Sequence, residues 1–249
     1  MSPSASERER VCGGRSLSAA AAPSICFESL ENRRLLSSAP ALSSLPDAFV
    51  QNGVLVVLGT PGADQFGVSL ATDVQSQALV YEVDWHAGAS PVPIGQHLTA
   101  PADGVLGIQV RLGKGDDVLT VAQSNSGSVQ AVTVPVTVFA GDGNDTVTGA
   151  ASPNVIHGGA GNDSLMGGSG DDQLFGGPGG DTLRGSAGND TLTGGTAANQ
   201  LFGGAGDDAL FAINGQADTL FGGTGNDTAH IDPGRDLITN NDVEHVLNT

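Results

Sequence analysis

A nine-residue period fixes most of what this chain can fold into. From Ala140 the sequence divides without a gap into AGDGNDTVT, GAASPNVIH, GGAGNDSLM, GGSGDDQLF, GGPGGDTLR, GSAGNDTLT, GGTAANQLF and GGAGDDALF. One extra residue, Ala212, intervenes before INGQADTLF, GGTGNDTAH and IDPGRDLIT carry the phase to Thr239. The common form is G-G-x-G-x-D-x-U-x, with U a large apolar residue. Each unit reads as a tight turn followed by a short strand. Glycines in the turn permit positive φ and close backbone approach. In the strand, side chains alternate, so U points inward and its neighbours outward. The inward column is Val147, Ile156, Leu165, Leu174, Leu183, Leu192, Leu201, Leu210, Leu220 and Ile238, with Ala229 small. Two nines make one 18-residue coil with a strand on each side.

Composition says what such a coil lacks. Glycine accounts for 38 of 249 residues and aromatic residues for only 4%. A glycine-rich backbone loses more entropy on ordering, and few bulky side chains are available to offset that loss. The net charge is −18. Residues 1–47 balance their acids against Arg8, Arg10, Arg15, Arg33 and Arg34, so the repeat-bearing remainder carries the whole excess. A surface that negative repels nucleic acid and anionic membrane and suits cations. No apolar run reaches the ~18 residues of a membrane span. Cys12 and Cys26, both before the repeats, form neither a metal motif nor a disulfide framework.

The repeats resemble the RTX (hemolysin-type) calcium-binding nonapeptide family. The resemblance implies an all-β, right-handed parallel β-roll or β-solenoid with 18-residue coils, calcium held in the glycine turns, and export from the cell. A second resemblance lies at 27–38, FESLENRRLLSS, which is similar to the LEPR-XLL segment of large bacterial surface-associated proteins. Leu30, Glu31, Arg33, Leu35 and Leu36 match, and Asn32 stands where that family often has Pro. It implies an exported or surface-linked chain.

Calcium takes six to eight hard oxygen ligands in a forgiving geometry. One turn offers backbone carbonyls and a single carboxylate; two stacked turns can complete a shell. Same-side neighbours in an 18-residue coil are alternate repeats. One side therefore carries Asp145, Asp163, Asp181, Asn199, Asp218 and Asp236. The other carries Asn154, Asp172, Asp190, Asp208 and Asp227. Adjacent intact turns pair as Asp145/Asp163, Asp163/Asp181, Asp172/Asp190, Asp190/Asp208 and Asp208/Asp227, giving about five ions. The resemblance supports the same ligand type: the sixth-position Asp with carbonyls of the glycine turn, here Gly159, Gly161, Gly168, Gly170, Gly177, Gly179, Gly204 and Gly206. The units with Asn154, with Ala197 and Asn199, and with Gln216 depart from the pattern and read as spacers. Asp64 and Asp117, in two isolated copies of the phase at 59–67 and 112–120, lack an assured neighbour.

The chain divides into a disordered, export-linked segment (1–47), a β-rich N-terminal part of the solenoid (48–139), the calcium-binding roll (140–239) and a C-terminal cap (240–249). Within 48–139, strands are expected at Val54–Leu58, Ala78–Val83, Leu106–Leu112 and Val132–Ala140, and a loop at 84–103. A separate small β-domain is the alternative for this region. Catalytic residues are not expected. The five histidines are dispersed, and neither H-E-x-x-H nor G-x-S-x-G occurs. Gly113–Lys114 is followed by Gly115 and makes no P-loop. The functional expectation is a non-enzymatic, secreted or cell-surface calcium-binding protein with a structural or matrix role. The alternatives are an adhesin presenting outward Phe175, Phe211, Phe202 and Phe221, and the calcium domain of an extracellular hydrolase.

Overall fold

Successive nines do fall on alternate sides of one coil. The computed structural model describes residues 47–72, 79–87, 96–121, 131–239 and 243–248. The segment 1–46, with the LEPR-XLL-like stretch, both cysteines and the expected disorder, lies outside the described residues. Every regular element described is a strand.

The described residues form two ten-stranded sheets. In spatial order the first holds Asp47–Gln51, Val54–Leu58, Gly107–Lys114, Val136–Asp142, Asn154–Ala160, Gln173–Gly177, Thr191–Gly195, Ala209–Phe211, Thr228–Ile231 and His245–Asn248. The second runs from Leu237–Ile238 through Thr219–Thr224, Gln200–Ala205, Thr182–Ala187, Ser164–Ser169, Thr146–Thr148 and Val118–Val121. It ends on Asp64–Thr72, Leu79–Ala87 and Gln96–Pro101. Consecutive strands of the repeat region alternate between the sheets, which makes a parallel β-solenoid of about six turns across 136–247. Pairing places Ile156 on Leu174 and Leu165 on Leu183. The extra Ala212 is absorbed in one winding, where Leu201 pairs with Leu220 and Leu210 with Ala229.

The inward column is the core. Leu174, Leu183, Leu192, Leu201, Leu210 and Leu220 have no exposure at all. Ile238, at the end of the second sheet, is only partly buried. The same file continues toward the N-terminus through Leu119 and Phe66 in one sheet and Val138, Val110 and Val57 in the other.

Parallel stacking extends well before the repeats. Val54–Leu58 pairs parallel with Gly107–Lys114, which pairs parallel with Val136–Asp142. Antiparallel pieces finish this end. Asp47–Gln51 folds back on Val54–Leu58 through Asn52 and Gly53, at φ 51° and 77°, the left-handed pair that a two-residue hairpin needs. The expectation of a loop over 84–103 is corrected: Leu79–Ala87 and Gln96–Pro101 are strands, paired antiparallel to each other. Pro91 and Pro93 had pointed to a loop, but they fall in 88–95, outside the described residues. Pro101 sits on the outermost strand, where a missing N–H costs nothing.

One turn carries visible strain. The second residue of the turn is glycine at positive φ in most units, for instance Gly168 at 131° and Gly204 at 126°; between them Ser186 adopts 93°. A non-glycine residue held there costs ~1–3 kcal/mol, whereas glycine adds only about 0.5–1 kcal/mol of unfolded-state entropy. Ser186→Gly should therefore stabilise the roll by roughly 1 kcal/mol, read as a higher melting temperature at saturating calcium.

Candidate metal-binding turns

The sixth-position acids form two straight columns, one along each edge between the sheets. The backbone N–H of each residue donates to the side chain of its same-side successor. On one edge Asp145 donates to Oδ1 of Asp163 and Asp163 to Oδ1 of Asp181, both at 2.8 Å. Asp181 then donates to Asn199 at 2.9 Å and Asn199 to Asp218 at 2.6 Å. On the other edge Asp172, Asp190 and Asp208 donate to Oδ1 of Asp190, Asp208 and Asp227, each at 2.8 Å. All these acids are buried.

Sequence reasoning left Asp64 and Asp117 without neighbours, and the fold supplies them. Asp64 N–H donates to Asp117 Oδ1 at 2.7 Å, and Asp117 N–H to Asp145 Oδ1 at 2.8 Å. The column thus runs past the repeats. Its separations of 53 and 28 residues hid this continuity from an 18-residue search. At its far end this column closes on Asp236, which accepts from Asp218 N–H at 3.0 Å, and on the other column Glu244 takes the rung after Asp227, accepting from its N–H at 2.6 Å.

The ladder uses one oxygen of each carboxylate. The other, Oδ2 of Asp117, Asp145, Asp163, Asp172, Asp181, Asp190 and Asp208, is buried with no hydrogen-bond partner. In the turns of Asp163, Asp172, Asp181, Asp190 and Asp208 it turns back over the first glycine. A Cβ placed on Gly158 would collide with Asp163 Oδ2 and lie 2.8 Å from the carbonyl oxygen of Gly176. One placed on Gly203 would collide with Asp208 Oδ2 and lie 2.5 Å from the carbonyl of Gly222. In each case a carboxylate oxygen and a carbonyl from the next turn face the same small space. Acceptors converge there with no donor group between them, an arrangement costly in a buried setting and suited to a hard cation. Residues of these turns therefore fit calcium. Among the described residues no group of three His, Cys, Asp or Glu side chains gathers at one point; each turn brings one carboxylate, so most ligands must be main-chain oxygens.

Burial, reinforced by neighbouring carboxylates, raises the metal-free acidities. Asp117, Asp172, Asp181 and Asp208 are pushed up to about 7, and Asp145 and Asp190 to about 6. Asp163 moves the same way. An unfolded Asp titrates near ~3.9, so between that value and about 7 the metal-free fold binds more protons than the unfolded chain. Its stability then rises as pH falls through this window and is lost as pH climbs through the folded-state values. Without calcium, acidification from about pH 8 to about pH 5 should raise the melting temperature; with calcium, protons compete with the ion and apparent affinity should fall over the same window. Melting curves and calcium titrations at several pH values check both signs.

The strands that follow the Asn154 and Asn199 turns stack in register, although Ala150 and Ala197 do not adopt the positive φ of the glycines in intact turns. Asn154 and Asn199 occupy the Asp position, and their amide nitrogens donate to carbonyls of their own turns. A second ladder, which the period did not suggest, runs along the exposed fifth position. Asn162 N–H donates to Asn144 Oδ1 at 2.9 Å and Gly180 N–H to Asn162 Oδ1 at 2.7 Å, while Asn189, Asp207 and Asn226 repeat the pattern on the other edge. Its signal in the sequence was the recurrent Asn or Asp before the sixth-position acid.

A family model for the RTX calcium-binding nonapeptide repeat (4 copies) matches residues 139–174, 175–210 and 214–238. No curated protein matches the chain. With the 18-residue register, the glycine turns and the two acid columns already in place, residues 139–238 of this chain are an array of RTX calcium-binding nonapeptide repeats.

Proposed function

We propose that this chain is an extracellular or cell-surface protein whose roll is completed by calcium and which serves as a structural or matrix element. The observation that carries the reading is the series of buried Asp Oδ2 atoms without a hydrogen-bond partner, which in the turns of Asp163, Asp181 and Asp208 share their space with a carbonyl oxygen of the next same-side turn. The pairs Asp145/Asp163, Asp163/Asp181, Asp172/Asp190, Asp190/Asp208 and Asp208/Asp227, with carbonyls of Gly159, Gly161, Gly168, Gly170, Gly177, Gly179, Gly204 and Gly206, are the ligands. Asp117/Asp145 stands on the same column as a further pair. The protein's part is to bring these oxygens to one point and keep water out; the ion supplies the positive charge that lets acid columns lie one strand spacing apart, ~4.8 Å. Calcium is abundant outside cells, which supports an extracellular site of action.

No catalytic step enters this reading. The outward aromatic residues also have an internal explanation. Phe139, His157 and Phe175 stack in one file at 5.0 and 4.8 Å, Phe202 lies 4.6 Å from Phe221, and Phe211 lies 4.5 Å from His230. Arg184 covers Phe202 at 4.2 Å. Rungs that pack on one another contribute to sheet stability and favour the structural role over an adhesin face. Among the described residues no helix is long and apolar enough to cross a membrane.

Isothermal calorimetry with calcium chloride tests the proposal. About five to six ions per chain are expected, with magnesium much weaker because it demands tighter octahedral geometry. Absence of binding heat and of any calcium-dependent change in melting overturns it.

A further inference from the structure

Resting on the calcium reading above, we infer that side-chain amides act as built-in surrogates for the ion in two turns, dividing the columns into metal-filled and metal-free segments. Asn154 shows the arrangement most fully. Its Nδ2 lies 3.2 Å from Ala150 O, 2.6 Å from Ser152 O, 3.2 Å from Gly167 O and 2.8 Å from Asp172 Oδ1. Four oxygens from two turns surround one nitrogen that carries two protons. They are the carbonyls of the second and fourth turn positions, the first carbonyl of the next same-side turn and that turn's carboxylate. In the acid-bearing turns the last of these carbonyls, such as Gly176 O at Gly158, faces an Asp Oδ2 instead. Asn and Asp have nearly the same shape, so the exchange trades an acceptor that needs a cation for a donor that needs none.

The turn at 194–199 reaches the same end by another route. Asn199 Nδ2 donates to the fourth-position carbonyl of Ala197 at 2.6 Å. Asn214, from the following same-side turn, places its Nδ2 2.8 Å from Gly195 O and 2.9 Å from Ala197 O. These are again the second- and fourth-position carbonyls. Asn214 is itself held, its N–H donating to Asp232 Oδ2 at 2.8 Å and its Oδ1 accepting from Gln216 N–H at 2.7 Å. Two amides arriving from different sequence positions on equivalent carbonyl pairs mark the oxygens, and not the Asn residues, as the constant feature. The second- and fourth-position carbonyl pair is kept in both of these turns; what varies along the columns is whether an ion or an amide fills the place.

It follows that Asn154→Asp converts a plug into a site. The number of calcium ions bound per full-length chain, counted by calorimetry and by native mass spectrometry, should rise by one. Asn199→Asp alone should add none, because Asn214 still occupies the carbonyls, whereas Asn199→Asp with Asn214→Ala should add one. Asn154→Ala should leave the count unchanged and lower the calcium-loaded melting temperature by several degrees. An unchanged count in both Asn154→Asp and the double variant overturns the inference, as does an unaltered melting temperature in Asn154→Ala. Wild-type protein that binds no calcium would instead overturn the calcium reading itself, so the two failures are distinguishable.

Discussion

Chelation of calcium with EGTA at neutral pH should abolish the β-sheet circular dichroism of the repeat region, and millimolar calcium should restore it. The magnitudes favour this outcome. A ligand present at about a hundred times its dissociation constant adds ~2.7 kcal/mol per site. Several such sites together match or exceed the whole stability of an ordinary domain, roughly 5–15 kcal/mol. Removal also leaves buried carboxylates facing one another along each column, and at neutral pH protonation relieves that repulsion only in part, with Asp117, Asp172, Asp181 and Asp208 pushed up to about 7 and Asp145 and Asp190 to about 6. The apolar file at the centre is a single side chain wide on each sheet, from Val147 to Leu220, and cannot make up the difference. A spectrum and melting curve indifferent to EGTA would show that the acid columns are ordinary turn caps.

Gly179→Ala should be the most damaging small substitution. Gly179 sits at φ 138°, where a Cβ is strained in any surroundings, at a cost of about 1–3 kcal/mol. Here the Cβ would also be driven into the carbonyl oxygen of Gly161 in the winding above. That atom is backbone and belongs to a neighbouring proposed cage, so relief requires separating two coils. We expect a loss of several kcal/mol in total, together with weaker calcium binding on that edge of the roll. Gly62→Ala is the matched control: its nearest atom would be Thr60 Oγ1 at 3.9 Å, and its effect should stay within ~0.5 kcal/mol. Calcium-loaded melting and ion counting on both variants check the contrast; equal behaviour would mean that the windings are not tightly stacked.

What could be read in advance followed the range of each signal. The strict period from Ala140 to Thr239 announced the coils, the Leu column and the two acid files, since every residue's partner lies a constant distance along the chain. Where excursions break that distance, the reasoning stopped. Asp64 and Asp117 carry the right turn chemistry, but their column neighbours are 53 and 28 residues away, and nothing local reveals such a separation. The Asn52–Gly53 turn joins Asp47–Gln51 to Val54–Leu58 through a purely local hairpin signal that the nine-residue period does not contain. Pro91 and Pro93 outweighed the strand-like residues on either side of them. The units with Asn154 and Asn199 were recognised as exceptions, but pattern mismatch says only that a ligand is missing; atomic positions show that an amide stands in its place. Asn214 was invisible altogether, because it acts on the carbonyls of a different unit.

Asp163, Asp172, Asp181, Asp190 and Asp208 turn their two oxygens toward different windings: Oδ1 takes the N–H of the preceding turn, while Oδ2 leans over the first glycine of its own. Seating an ion against Oδ2 therefore also clamps the atom on which the previous turn hangs. Loading should propagate like a zipper, each filled cage preparing the next, so that saturation is steep in calcium concentration and spreads from wherever the first winding closes. Asn199 interrupts that propagation on one edge alone, leaving the opposite edge, Asp172 through Asp227, as the uninterrupted track along which closure can run.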